Sequence, residues 1–497
     1  MSEKLTEYAL LSVYNKEGVE LIAKKFLDSG MKLLATGNTF KKLREADFEV
    51  LEVSELTGEP ERFGGRVKTL HHKILGALLL RSKSESDLQE WPFDFRIAAV
   101  VCNFYPFEEK RNLKLSDEEL IEWVDIGGPN MLRAAAKNYH EVFAFSDPSQ
   151  YAEFSPGLNE DQAKALRKKL SFEAFQSISQ MDSEIAEEFA LRNARARELR
   201  YGENPHQRAF FVEDASFKKE FVGSLSFNNI RDAEAAFRAI QPFQGLASVV
   251  VKHQNPCGAA FSENKNLSEE VFHYAWEGDT TSRFGSVLAF NFLPGPKATE
   301  IIRKKFIEVI VLPDGEASRA WAEVLLAKKE KLRFVFIDST EFGVMKKCKE
   351  SFRGAFGTLI QEADSADHQE KKNALEFFGD WICASTKSNA IVLCGQKEGV
   401  SFLAGSGQGQ PNRVEALKVL ALPRARDFCE RLQLNFSELH CFSDAFLPFR
   451  DTVDILADEG LKVLYQPGGS KSDEKVMSAA RERDVQMHLT GVRHFWH

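Results

Sequence analysis

Four groups able to do chemistry stand within six positions of VVVKHQNPCGAAF (249–261): Lys252, His253, Asn255 and Cys257, just after a β-branched run. A zinc site of the nucleobase-deaminase type needs a His or Cys, a nearby Glu and then P-C-x-x-C. Here Gly258, Ala259 and Ala260 follow Cys257 and no second cysteine is near, so zinc is rejected. A thiol nucleophile needs a base and an electropositive setting, which Lys252 and His253 could supply. Alternatively the Lys-His pair itself works, through an imidazole of intrinsic pKa ~6.5. Local spacing leaves these two open.

GGRVKTLHH (64–72) sets Arg66, Lys68, Thr69 and His71 behind a flexible glycine pair. Exposed backbone donors beside Lys and Thr suit a phosphate or a developing oxyanion. A solvated basic turn is the plainer reading, since no P-loop or Rossmann spacing is present. Thr36-Gly37-Asn38-Thr39 before a helix is a second phosphate candidate through helix N-terminal amides, or an ordinary cap. VCNFYPF and DIGGPNMLRAAAKN add Tyr105, Asp125 and Lys137, each structural if taken singly. The chain has 41 Phe against 8 Tyr, so a tyrosine inside a polar motif points to a use for its hydroxyl. In GSGQGQPNRV (405–414) Gln410 stands where a dinucleotide fingerprint needs glycine. The better reading is a tight glycine turn presenting Gln410, Asn412 and Arg413, or else a bulged hairpin. SDAFLPFRDTVD (443–454) flanks an Arg450-Asp451 pair with two more carboxylates among aromatic residues. That composition suits a slot for a flat heterocycle, or a strand end with a satisfied ion pair.

Such groups must be delivered by strand ends. YALLSVY, MKLLAT and IAAVVCNFYPF read as strands, GVELIAKKFLDSG and PNMLRAAAKN as helices, and the alternation predicts an α/β layer with a largely parallel sheet. Ligands gather at carboxyl ends of such strands, where Ser12 to Lys16, Thr36 to Thr39 and Asn103 to Tyr105 fall. A helix over DSEIAEEFALRNARARELR leads to the main boundary near YGENPHQ. ASVVVKH, SVLAFN, FIEVIVLP, LRFVFID, NAIVLCG, FLAGSG and LKVLYQPGGS read as later strands, with a subdivision near residue 366 at QEADSADHQEKKN. The aromatic tail GVRHFWH is expected to dock.

Composition narrows the class. The chain has 497 residues, 43% hydrophobic and 28% charged, which fits several folded domains. A net charge of -9 disfavours nucleic-acid binding through bulk electrostatics. No apolar run nears the ~20 residues of a membrane span, and no secretory leader is expected. Seven scattered cysteines without C-x-x-C fit reduced thiols in a cytoplasmic enzyme.

Eleven motifs fall in order along nearly the whole chain: GGRVKTLH, CNFYPF, DIGG…RAAAKN, RYGENPHQ, LSFNNI…DA, VVKHQNPCG, KSNAIV, GSGQGQPNRV, SDAFLPFRD, QPGGS and RHF. The set resembles the bifunctional purine-synthesis family that joins IMP cyclohydrolase to 5-aminoimidazole-4-carboxamide ribonucleotide (AICAR) formyltransferase. The resemblance implies a methylglyoxal-synthase-like parallel α/β cyclohydrolase domain over residues 1–198. It implies a formyltransferase domain over 199–497, of two cytidine-deaminase-like α/β halves without zinc (199–365 and 366–497). It further implies a cytoplasmic homodimer, with 10-formyltetrahydrofolate as co-substrate and room for a monovalent cation; neither nucleic acid nor membrane is a partner.

Carried over residue by residue, Lys252, His253 and Asn389 are the transferase's catalytic groups. Arg200, Tyr201, Asn228, Arg413 and Arg493 hold the nucleotide, with Asn229 and Gln410 fainter, and Asp451 holds the pterin. Lys68, Tyr105, Asp125 and Lys137 are the cyclohydrolase's catalytic groups. Ser12, Lys16, Thr36, Gly37, Thr39, Arg66 and Thr69 grip phosphate and ribose. This sequence departs from the family pattern at Tyr14, Asn38, His72, Asn130, Arg283 and Ser286. The first four motivate an alternative, a formyltransferase with weakened cyclohydrolase.

Overall fold

The computed structural model describes residues 5–497 except 114, 193–195, 213–216, 344–348, 355–356, 363 and 365–372, so the expected subdivision near residue 366 lies outside the described residues. Two compact units divide the chain, Met1–Ala196 and Arg197–His497.

The first unit is built on five parallel strands: β1 (Thr6–Leu11), β2 (Lys32–Ala35), β3 (Val50–Glu52), β4 (Phe95–Val101) and β5 (Phe143–Phe145), in spatial order β3-β2-β1-β4-β5. Alternate side chains feed two cores. Ala9, Leu11 and Val101 pack with Phe26 and Leu170, while Leu10, Val100 and Ile97 pack with Ile74 and Leu132. Burial on both faces explains the unbroken apolar strands. Helices α1 (Val19–Asp28), α2 (Gly37–Glu45), α3 (Gly127–Lys137) and α4 (Glu160–Arg192) accompany this sheet. The expected late helix thus begins much earlier, at Glu160. Leu166, Leu170, Ala174 and Ile178 are buried at four-residue intervals and give it an inward seam, which the charged end lacks.

The second unit holds an eleven-stranded sheet. Its strands are β6 (Lys219–Val222), β7 (Leu246–Lys252), β8 (Asn255–Ser262), β9 (Ser286–Phe290), β10 (Ile307–Pro313), β11 (Arg333–Ile337), β12 (Ile391–Lys397), β13 (Val400–Gly407), β14 (His440–Ser443), β15 (Val463–Gln466) and β16 (Gln486–Leu489). One pattern occurs twice. An antiparallel hairpin is followed by an antiparallel neighbour and then two parallel strands, as β8-β7-β9-β10-β11 and as β13-β12-β14-β15-β16. The copies join where β8 runs antiparallel to β13, with Ala260 opposite Phe402.

That join decides where the functional loops go. Antiparallel pairing puts the start of β8 beside the end of β13, and hence beside the start of β12 and the end of β14. The turn after Lys252, the loop before Ile391, the loop after Gly407 and Asp444 therefore share one end of the sheet. In the first copy this is also the amino end of β9 to β11, not only a carboxyl end as the general rule led one to expect.

Gly405 and Gly407 lie within β13, as the strand reading of FLAGSG expects, so the glycine turn read over 405–414 begins only after them. A Cβ at Gly407 would overlap the carbonyl oxygen of Ala416, and one at Gly405 that of Ala421, so helical backbone crosses the strand at contact distance. Among the described residues no helix is long and apolar enough to cross a membrane.

Candidate active site

In the first unit the ends of β1, β2 and β4 are tied by short polar links. Ser12 Oγ lies 2.8 Å from Thr36 Oγ1, and the Thr39 hydroxyl accepts from the Val13 amide at 3.1 Å. Asn103 Oδ1 accepts both the Tyr14 and Asn15 amides, at 2.7 and 2.8 Å. Lys16 folds back and donates from Nζ to the carbonyls of Val13 and Tyr14; burial holds its pKa below the ordinary lysine value. Thr36, Gly37 and Lys68 line one small cleft with Ser54, Glu59 and Glu61, and Lys68 Nζ pairs with Glu61 at 3.3 Å.

Asp125 anchors the start of α3 by accepting the Gly128 amide at 2.9 Å. Burial pushes its carboxyl above the usual range, opposed by the Gly127 and Gly128 amides and by the charge of Lys68. Burial and the Asp125 charge likewise raise the Tyr105 phenol. Lys68, Tyr105 and Asp125 thus form one electrostatic group, with Thr69 buried against Gly127. Arg66 is exposed and paired with Glu122. Lys137 does not join within this chain. It ends α3, ten residues beyond Gly127, so at ~1.5 Å per residue it stands roughly 15 Å away. There it lines a different cleft with Arg133, Tyr139 and Phe175.

Four of the six departures from the family pattern, Tyr14, Asn38, His72 and Arg283, find a place in the packing. Tyr14 packs edge-on against Tyr105 at 5.6 Å and Trp123 at 6.4 Å. Gly37, with φ +42°, takes the left-handed position, so Asn38 is simply helical. His72 opens a helix that His71 caps by accepting the Lys73 amide. Arg283 donates to the carbonyl of Trp276 and to Glu277.

In the second unit β7 and β8 are joined by a two-residue turn, His253-Gln254, with φ +51° and +64° and Lys252 paired to Asn255. Although Asn, Pro and Gly are turn formers, Asn255-Pro256-Cys257-Gly258 is not the turn: those residues open β8, with Cys257 as a bulge opposite Val250 and Val251. The turn is held from several sides. Asp232 Oδ1 accepts the Gln254 amide at 2.8 Å. Asn255 donates to the His253 carbonyl and accepts the Lys387 amide, each at 2.9 Å. Lys252 Nζ donates to the Gly285 carbonyl at 2.7 Å. Cys257 faces inward, its thiol 3.4 Å from the Val250 carbonyl, and burial pushes its pKa up to about 12.

Asn389, which follows a cis peptide, donates to the Gln410 carbonyl at 2.8 Å. Buried Asp444 takes Arg413 Nη2 at 2.7 Å and the Ser388 hydroxyl at 2.6 Å, and its carbonyl accepts the His494 amide. The sequence reading treated Asp444 only as a flanking carboxylate; it fixes Arg413. Arg493 and Arg413 both lie over the Phe495 ring, so the tail does dock. Arg200 donates to Asn229 Oδ1, Asn229 donates to Glu308 at 2.6 Å, and Asn228 donates to the Glu203 carbonyl. Arg200 also covers Tyr201. Asp451 is exposed and accepts the amide of its neighbour Thr452 at 2.8 Å, while Arg450 pairs with Asp454 and Glu482 instead of Asp451. Asp232 was missed, and its only signal was its place in LSFNNI…DA. No group of three or more His, Cys, Asp or Glu among the described residues could hold a metal ion.

Two α/β units, each collecting cations and proton-handling groups at strand ends, are those of a two-site enzyme. A family model described as the AICARFT/IMPCHase bienzyme matches residues 135–423, and an MGS-like domain model matches 18–130. The chain belongs to the AICARFT/IMPCHase bienzyme family. It is 35% identical to the bifunctional purine biosynthesis protein PurH of Aquifex aeolicus (strain VF5), over 98% of this chain and 100% of that one. The PurH proteins of Staphylococcus aureus (strain MRSA252) and Clostridium perfringens (strain ATCC 13124) are each 36% identical, over 98% of this chain and 99% of theirs. Among solved structures, the crystal structure of ForH matches 37% of this chain and 97% of its own at 35% identity, with a TM-score of 0.33.

Proposed function

We propose that this chain carries out the last two steps of IMP synthesis at two sites, formyl transfer in residues 199–497 and ring closure in residues 1–198. In the transfer, the 5-amino group of AICAR attacks the formyl carbon of 10-formyltetrahydrofolate. That amine is a poor nucleophile, because its lone pair is delocalised into an imidazole bearing a carboxamide. His253 takes the proton as the new C–N bond forms. Lys252 and Asn389 stabilise the tetrahedral oxyanion. The bond to folate N10 then breaks, and tetrahydrofolate leaves with the proton. Arg200, Tyr201, Asn228, Arg413 and Arg493 hold the nucleotide, and Asp451 the pterin.

In ring closure, the carboxamide nitrogen attacks the formyl group on the neighbouring substituent and water departs. Both groups sit on one ring, so proximity supplies much of the rate. Asp125, made more basic by burial, suits proton acceptance; Tyr105, kept protonated, and Lys68 suit donation to the departing oxygen. Ser12, Lys16, Thr36, Gly37, Thr39, Arg66 and Thr69 grip phosphate and ribose. The protein acts in the cytoplasm as a homodimer.

The observation that carries this reading is that Lys68, Tyr105 and Asp125 converge in a chain matching PurH over 98% of its length. Purified protein given AICAR and 10-formyltetrahydrofolate should release tetrahydrofolate and IMP in equal amounts. Tetrahydrofolate without IMP would refute the cyclohydrolase assignment, and neither product would refute both. His253→Ala should stop transfer while leaving closure of supplied formylated nucleotide intact.

A further inference from the structure

The His253-Gln254 turn is costly by its own chemistry. Two-residue hairpin turns with φ positive at both positions favour Asn-Gly or Gly-Gly. Side chains bulkier than glycine are disfavoured in that region unless the surroundings enforce the conformation. What enforces it here is Asp232, on the helix Phe227–Ile240. Its carboxylate accepts the Gln254 amide at 2.8 Å and also faces the His253 amide. The neighbouring Arg231 donates to the Gln254 side chain at 2.8 Å, closing the same turn from the other side.

The carboxylate is half-buried, which raises its pKa, and the Gln254 and His253 amides together with the charges of His253 and Lys252 oppose that rise and favour the anion. Lys252 is engaged by the carbonyls of Phe284 and Gly285, and Arg231 by Gln254. Asp232 is therefore the anionic group turned toward His253 from the packed side of the turn. When His253 takes the proton of the attacking amine it becomes an imidazolium, and a carboxylate beside it lowers the energy of that state. We propose that Asp232 is a positioning residue for formyl transfer, which holds His253 in its left-handed turn and stabilises the imidazolium formed there. This rests on the assignment of His253 as the base.

The test compares Asp232→Asn, which keeps an acceptor for the Gln254 amide but loses the charge, with Asp232→Ala, which loses both. The Asn variant should fold with wild-type cooperativity. Its kcat should fall ~10-fold with little change in KM. The Ala variant should lose more kcat. Closure of supplied formylated nucleotide should be unchanged in both, reporting an intact first unit. An Asn variant with wild-type kcat would overturn the proposal while leaving His253 as base. Transfer surviving in His253→Ala would instead overturn the assignment on which it rests.

Discussion

Replacing Cys257 by alanine tests the chemistry most directly, because a cysteine beside Lys and His invites a thiolate mechanism. The structure argues for an inert thiol. Burial pushes its pKa up to about 12, so at pH 7 it stays a protonated thiol, whereas a free cysteine is a few per cent thiolate. Its sulfur sits in a bulge that pairs with β7, in a core with Phe272 and Trp276. Deleting one buried heavy atom there should cost about 1 kcal/mol of stability, seen as a lower urea midpoint with an unchanged slope. Transfer kcat and KM should stay within about twofold of wild type. Iodoacetamide at pH 7 should leave Cys257 unlabelled and activity intact, with peptide mass analysis reading the modification. Inactivation that tracks labelling of Cys257, or a tenfold loss of kcat in a cooperatively folded variant, would refute the reasoning.

Asp125 carries a charge that folding disfavours. Its folded pKa is raised, so its contribution to stability is present below the unfolded carboxylate pKa and lost as pH rises through the folded value. Asp125→Asn should therefore raise the urea midpoint at neutral pH, with the gain shrinking towards about pH 4, while ring closure falls ~10²-fold or more. Asp444→Ala strands the Arg413 guanidinium without its buried partner; denaturation should show a loss of roughly 3–5 kcal/mol, and KM for AICAR should rise. Gly407→Ala forces β13 away from the Ala416 backbone and should cost about 1–3 kcal/mol or more in the same assay.

Strands were legible because their signal is local: VVVK, IVLC and FVFI can hardly be anything else once buried on both faces. The opening motif shows what local chemistry misses. Asn, Pro and Gly are turn formers, yet at 255, 256 and 258 they enter a strand. Proline is tolerated there at a bulge, and a Cβ at Gly258 would overlap the carbonyl of Ala275. The true turn uses His and Gln, which no propensity nominates. Lys137 stands apart from Lys68 and Asp125 within one chain for the opposite reason, since a family motif records order along the chain while helix rise sets distance. Asp232 and Asp444 act through bonds to residues 22 and 31 positions away, and no sequence window contains both partners.

The repeated strand pattern gives this protein two editions of the same hairpin. In the second, Lys397 pairs with Val400 around Glu398-Gly399, with φ +50° and +82°, so glycine fills the position that Gln254 fills in the first. Antiparallel joining puts the two bends at opposite ends of the sheet. The two bends thus ask different things of the chain: the Glu-Gly copy takes the undemanding form, and the His-Gln copy holds two non-glycine side chains in left-handed backbone.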